Sequence, residues 1–224
     1  MTDHPFAIFS PFRNALHVQL LTKEDRVHTD GEIARALAVP TVASLRQVHG
    51  NRVVRVSEPT SRTVEADGMI MDARGLTLAI RAADCQNFVI YAPKKNVGGV
   101  LHAGWRCLNA GTIAAFYELL QKEWGIQPQD TYVGAGPSLG KECAEFSDPR
   151  RELPSAPPDL IDGRYADLIE TSERQFDVLG VPRTQRERIN ACTTCHPETY
   201  WTYRGGDREK VLDGWTNVLA CRLL

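Results

Sequence analysis

The chain has 224 residues, with 26 basic and 28 acidic side chains and a formal net charge of −2. Its content of 42 % hydrophobic and 24 % charged residues is that of an ordinary globular protein. The near balance of charge argues against a protein that binds nucleic acid by electrostatics alone, and no apolar run approaches the ~20 residues of a membrane span. The opening MTDHPFAIFSPF shows no basic leader ahead of an apolar run, so a cytoplasmic protein with reduced cysteines is expected. Composition leaves the oligomeric state open.

In chain order, residues 30–39 read as a short helix stopped by Pro40. VASLRQVHG (42–50) and RVVRV (52–56) read as neighbouring strands, followed by LTLAIRA (76–82), NFVIYA (87–92) and VGGVLHA (97–103). AGTIAAFYELLQKEWG (110–125) has the spacing of a helix that ends at Gly125. SDPRRELPSAPPD (147–159) holds four prolines and reads as a long surface loop. Residues 159–179 follow as a helix ended by Gly180 to Pro182, and TYWTYR (199–204) and VLACRLL (218–224) as closing strands. Mid-chain strands with helices between them imply one mixed α/β domain over residues 1–224.

Three residues stand out chemically. His49 ends QVHG, Cys85 follows Ala83 and Asp84, and His102 ends an apolar strand in LHAGWR. Two imidazoles and a thiolate suit zinc or copper far better than magnesium or calcium, and three protein ligands leave a fourth position for water or substrate. The alternative is two strand-end histidines with ordinary hydrogen bonds and a buried inert cysteine. In HAGWRCLNAG a strand runs through a glycine turn into a helix, whose free N–H groups attract anions, with Arg106 at the turn; many α/β connections share that pattern. GAGPSLGKEC (134–143), with Ser138 inside it, has neither the dinucleotide nor the P-loop spacing and reads as a turn bordering a pocket. Cys192-Thr193-Thr194-Cys195-His196 matches the haem-attachment pattern, but covalent haem requires export, so two ordinary thiols beside a loop are expected. Tyr203 and Arg204 close a run of aromatics; the arginine could fork onto phosphate and the rings could stack on a planar base, or they could form a half-buried strand with a solvated arginine.

Taken in order, QVHG (47–50), ADGMI (66–70), AADC (82–85), HAGWR (102–106), GAGPSLG (134–140), CTTC (192–195) and TYR (202–204) resemble the YfiH-type laccase-domain proteins, also called polyphenol oxidases, purine nucleoside phosphorylases or peptidoglycan editing factors. The resemblance implies a single-domain α/β (α+β) sandwich around a mixed sheet. It also implies a metal, usually zinc, on His49, Cys85 and His102, and it maps the family's tyrosine–arginine onto Tyr203 and Arg204. Two departures stand out. Cys107 replaces the glycine of the family's HAGWRG, and Gly205–Gly206 interrupts its YRRDG, so that one arginine is missing.

The resemblance suggests phosphorolysis of adenosine, inosine or methylthioadenosine, with deamination of adenosine as a second activity. On that reading the partners are a small nucleoside and phosphate. A metal on the His49, Cys85 and His102 set would activate water. Asp84 would act as a base or orient a ligand histidine, or point away altogether. Arg204, with Arg106 and the helix start, would supply an anion pocket that Tyr203 and Ser138 border. Three rival readings remain open. A copper polyphenol oxidase is disfavoured, because one such site cannot hold the several coppers that oxygen reduction normally requires. A peptidoglycan-editing amide hydrolase would use Cys85 as nucleophile and His102 as base. A binding module with a structural metal would need a fourth protein ligand, for which Cys107 is the candidate.

Overall fold

Residues 87–92 show no alternation of polar and apolar side chains because both faces of their strand are covered. Phe88 and Ile90 point into one core with Phe116, Tyr117 and Phe176. Val89 and Tyr91 point into a second core with Val18, Leu20, Ile80 and Leu219. A strand exposes successive side chains to opposite faces, so one apolar run serves both. The structure, a computed structural model, describes residues 1–224.

Two sheets are stacked. The six-stranded sheet runs in the order Arg186–Arg188, Tyr132–Ala135, Gln86–Ala92, Val97–Ala103, Gly68–Met71, Val53–Arg55. It is antiparallel inside and parallel at each edge. The four-stranded sheet is antiparallel, in the order Thr2–Asp3, Leu16–Leu21, Asn217–Leu223, Thr77–Ala82. Helices Thr112–Trp124 and Leu168–Leu179 cover the outer face of the larger sheet. Helix Asp30–Ala36 covers the outer face of the smaller one, where Ile33, Ala34 and Leu37 meet Leu21, Ala79 and Val218. The expected α/β sandwich with a mixed sheet is therefore present in a single domain. No helix is long and apolar enough to cross a membrane.

Several local expectations are corrected. Only Ser44–Arg46 of residues 42–50 is a strand; the chain leaves it because the Gln47 amide pairs with the Arg81 backbone, donating to its carbonyl at 2.7 Å and accepting from its N–H at 3.0 Å. The helix expected from residue 110 begins at Trp105 and is interrupted at Gly111, whose φ of 76° caps Trp105–Ala110. Residues 161–166 form a hairpin through Gly163, so the next helix starts only at Leu168, capped by the Asp167 carboxylate. The proline-rich segment is not a free loop: Pro149–Glu152 is a helical turn capped by Asp148, and Leu153 and Ala156 are buried in the first core. Residues 199–204 are not a strand; Tyr203–Asp207 is one wide helical turn. The strands Leu16–Leu21, Gly68–Met71, Tyr132–Ala135 and Arg186–Arg188 carried no expectation, being short or lying outside a clear apolar run.

The centre of the larger sheet tolerates no side chain at Gly99. A Cβ there would lie 2.5 Å from the Met69 carbonyl oxygen and 2.6 Å from Phe116 Cζ. Gly99→Ala should therefore cost about 1–3 kcal/mol, as overpacking does. The check is a lowered urea midpoint at unchanged slope.

Candidate metal centre

Strand Thr77–Ala82 belongs to the smaller sheet and strand Gln86–Ala92 to the larger one. Residues 83–85 are thus the crossing between sheets, and Cys85 sits at the open edge of the sandwich. Asp84 takes a φ of 78° to make the crossing. His102 arrives on the neighbouring strand, in register with Asn87. His49 arrives on the loop that Gln47 ties to Arg81, with a φ of 60°. Left-handed backbone at a non-glycine residue is uncommon, and two cases beside one cluster mark a site whose geometry the surrounding fold imposes.

The three predicted ligands come together. A ligand atom from each of His49, Cys85 and His102 lies within 4.8 Å of the others. Cys85 Sγ is 3.9 Å from His49 Nε2, and the two imidazole rings stand edge to face at 4.8 Å. Gly104 leaves the room: a Cβ there would sit 2.6 Å from Cys85 Sγ and 3.3 Å from His49 Cδ2. Soft donors around a space that only glycine keeps clear fit a zinc- or copper-class ion.

Asp67 organises these ligands. It is fully buried. Its carboxylate contacts His102 Nδ1 at 2.9 Å and accepts from the N–H groups of His49 at 3.0 Å and Gly50 at 2.7 Å. With Nδ1 so engaged, His102 has Nε2 left for a metal, the arrangement by which a carboxylate fixes the tautomer of a ligating histidine. Burial opposes the ionisation of Asp67, yet His102 and the two amides outweigh it and hold the carboxyl below its ordinary range. Burial likewise opposes the Cys85 thiolate, but His102 and His49 bring its pKa down to about 6. The thiolate is the form in which cysteine ligates metal. The Cys85 thiolate and Asp67 in turn push His102 well above the usual imidazole range against its burial.

Cys107 stands behind this set. Its Sγ is 3.7 Å from His102 Nδ1 and 3.8 Å from Asp67 Oδ1. It groups with Asp67 and His102, not with His49 and Cys85. The fourth-ligand reading is therefore corrected: Cys107 packs against the far side of the His102 ring.

Asp84 points away from the three ligands. Its Oδ1 accepts from Thr193 Oγ1 at 2.7 Å and Thr202 Oγ1 at 2.6 Å, and its Oδ2 from the Arg204 N–H at 2.7 Å. It binds the CTTC loop and the TYR turn to the sheet crossing. Arg204 reaches back to the carbonyl oxygens of Glu145 at 2.6 Å and Cys143 at 3.5 Å and lies over the Phe146 ring.

A cleft of about 640 Å³ opens over the cluster. Its wall includes His49, Cys85 and His102 with Asp84, Arg106, Tyr203 and Arg204. The structure adds Gln47, Arg62, Arg81 and Trp105 to that wall. Ser138 does not line it; it is buried, its Oγ has no partner, and its backbone pairs with Ala191 and Thr193. Asp67 is the residue that sequence reasoning passed over, although it stands in the quoted ADGMI. Its signal was a carboxylate opening an apolar strand, where an unpaired charge would be expensive.

Fold and site together define a laccase-domain protein. The family model described as multi-copper polyphenol oxidoreductase laccase matches residues 15–214, and the chain belongs to that family. It is 29 % identical over 227 residues to the purine nucleoside phosphorylase YlmD of Geobacillus stearothermophilus, covering 91 % of this chain and 82 % of that protein. The crystal structure of that YlmD matches with a TM-score of 0.78 at 26 % identity, over 95 % of this chain and 92 % of the other. The purine nucleoside phosphorylase LACC1 of Homo sapiens is 31 % identical over 150 residues, which is 61 % of this chain but 34 % of that longer protein.

Two outcomes follow from the Asp67 and Cys85 environments. Asp67→Asn should lower metal affinity about 10- to 100-fold, as loss of a histidine-orienting carboxylate does; competition titration against a chromophoric chelator reads it. In chelator-treated protein the Cys85 thiolate should appear with a midpoint at about 6. Ionisation is then complete above that pH and lost below it. Ultraviolet thiolate absorbance checks this, and His102→Gln should move the midpoint up.

Proposed function

We propose that the chain is a metal-dependent purine nucleoside phosphorylase, with zinc held by His49, Cys85 and His102, that cleaves adenosine, inosine or methylthioadenosine. The observation that carries this reading is the cleft, which joins the His49, Cys85 and His102 set to a wall of cations and aromatic rings. The names of the relatives support it.

In phosphorolysis a phosphate oxygen attacks the sugar C1′, the C1′–N9 bond breaks, and its electron pair leaves with the purine. A bound divalent ion would supply Lewis acidity at this cleft. The residues of the chain do the remainder. Arg62, Arg106 and Arg204 place positive charge where a phosphate dianion must be held against an electron-rich base. Trp105 and Tyr203 offer planar faces for the purine. The Arg106 guanidinium already lies 4.2 Å over the Trp105 ring, which fixes both side chains at the mouth. Asp84 serves as a positioning residue, because its two oxygens hold the backbone of Arg204 and the hydroxyls of Thr193 and Thr202. Adenosine deamination at C6 is proposed as a second activity of the same cleft.

One observation favours a second reading. Cys85 Sγ, 3.9 Å from His49 Nε2 and with its thiol pKa brought down to about 6 chiefly by His102, also has the setting of a cysteine nucleophile with a histidine base, either His102 as expected from the sequence or His49. That chemistry would belong to an amide hydrolase, and it requires the thiolate to be free of metal.

Metal-loaded protein should convert adenosine and phosphate to adenine and ribose 1-phosphate, with inosine or hypoxanthine marking deamination, equally well without oxygen. Absence of every product overturns the reading. Chelator should abolish turnover, whereas the hydrolase reading requires turnover of an amide substrate to survive it. Arg204→Ala should raise the phosphate KM about 10- to 100-fold, the worth of a charge-assisted hydrogen bond.

A further inference from the structure

The remaining cysteines contain a cluster that the cleft does not use. Cys143 ends the turn Lys141–Cys143, and Cys192 and Cys195 bracket the CTTC loop. The sulfurs of all three lie within 4.8 Å of one another, and Cys143 and Cys195 approach to 3.6 Å. None of the three lines the cleft. Sulfurs held tetrahedrally at ~2.3 Å around zinc would lie ~3.8 Å apart, so only small adjustments separate this triad from a ligand shell. C-x-x-C is the ordinary spacing of two thiolate ligands from one turn, and the third comes from a residue 52 positions away in the chain. The Gly140 N–H donates to Cys192 Sγ at 3.2 Å, a bond that orients the sulfur. A Cβ at Gly140 would meet Cys192 Cβ at 3.2 Å, so glycine permits the close approach. Three thiols also cannot all be paired in disulfides.

We propose that Cys143, Cys192 and Cys195 form a second metal site, a three-thiolate clip for a soft divalent ion of the zinc class. Each thiol releases its proton to solvent as it ligates. Cys195 is exposed, which leaves the remaining coordination position accessible from solvent. The clip ties together two segments that shape the cleft. The turn holding Cys143 supplies the carbonyl oxygens of Cys143 and Glu145 to Arg204. The loop holding Cys192 and Cys195 supplies the Thr193 hydroxyl to Asp84. Its role is positional, and it requires no particular reaction at the cleft.

The test is a Co²⁺ titration of the full chain, reduced under nitrogen with all six thiols counted by alkylation. Metal content and the thiolate-to-cobalt charge-transfer band are both read. The expected result is a Cys85→Ala chain that still takes up about one equivalent and keeps most of the band, since three of the four proposed thiolate ligands remain. Cys143→Ser should lose that equivalent and the larger part of the band; Cys195→Ser, at an exposed side chain, repeats the measurement if Cys143→Ser fails to fold. A fully reduced Cys85→Ala chain that binds no Co²⁺ through sulfur overturns the proposal. Uptake in wild type that Cys85→Ala leaves intact and Cys143→Ser abolishes supports the clip while counting against a metal at His49, Cys85 and His102, so the two sites stand or fall separately.

Discussion

The buried carboxylate of Asp67 is the constraint on which the candidate metal centre depends. An isolated ionised carboxylate in a protein interior is expensive enough to neutralise instead. Here the cost is offset by an imidazole and two backbone amides, and every one of those donors belongs to a ligand residue or its neighbour. The same hydrogen bonds that make Asp67 tolerable give His49 its left-handed backbone and leave His102 Nε2 available. Charge satisfaction and ligand placement are one event. That is why the loop after Ser44–Arg46 and the strand Val97–Ala103, far apart in sequence, arrive at a common point.

Asp84 repeats the device on the other side of the cleft. Its side chain is turned from the three ligands and satisfied by two threonine hydroxyls and the Arg204 amide. The two carboxylates thus divide the work between them. Asp67 fixes the His102 imidazole and the backbone of His49, and Asp84 fixes the segments that carry Tyr203, Arg204 and the CTTC loop. Both sit where the chain leaves one sheet for another element, so the sandwich brings them to its edge without any dedicated domain.

Much of this was legible in the sequence for identifiable reasons. The central strands announce themselves because burial on both faces demands unbroken apolar runs, as at residues 87–92. His49, Cys85 and His102 could be chosen by chemical type, and the motif order joined them. What escaped was set by tertiary contacts that leave no local pattern. Gln47 pulls its loop off the strand by pairing with Arg81, a partner 34 residues away. Leu153 and Ala156 draw a proline-rich segment into the core, although prolines alone suggest a surface loop. Cys143 lies 52 residues from Cys195, so no spacing rule could unite them. Cys107 could be suspected from sequence but only placed by structure, since one turn of helix decides which side of His102 it meets.

The interrupted YRRDG pattern coincides with a tightly wound turn. Gly205 lies where the resemblance places an arginine, and a Cβ there would come 2.5 Å from Thr202 Cγ2 and 2.9 Å from its Oγ1. Thr202 Oγ1 accepts from the Gly205 N–H at 3.0 Å while donating to Asp84. Gly206 then takes a φ of 112°, which a side chain would rarely adopt. The turn is therefore wound tightly around Thr202, and Arg204 leaves it in a direction set by the carbonyl oxygens of Cys143 and Glu145. Four arginines reach the cleft wall, Arg62, Arg81, Arg106 and Arg204, and of these Arg81 is paired with Asp30 at 2.8 Å. Of the segments that carry these arginines, Asp84 fixes the one that holds Arg204, whose N–H it accepts at 2.7 Å.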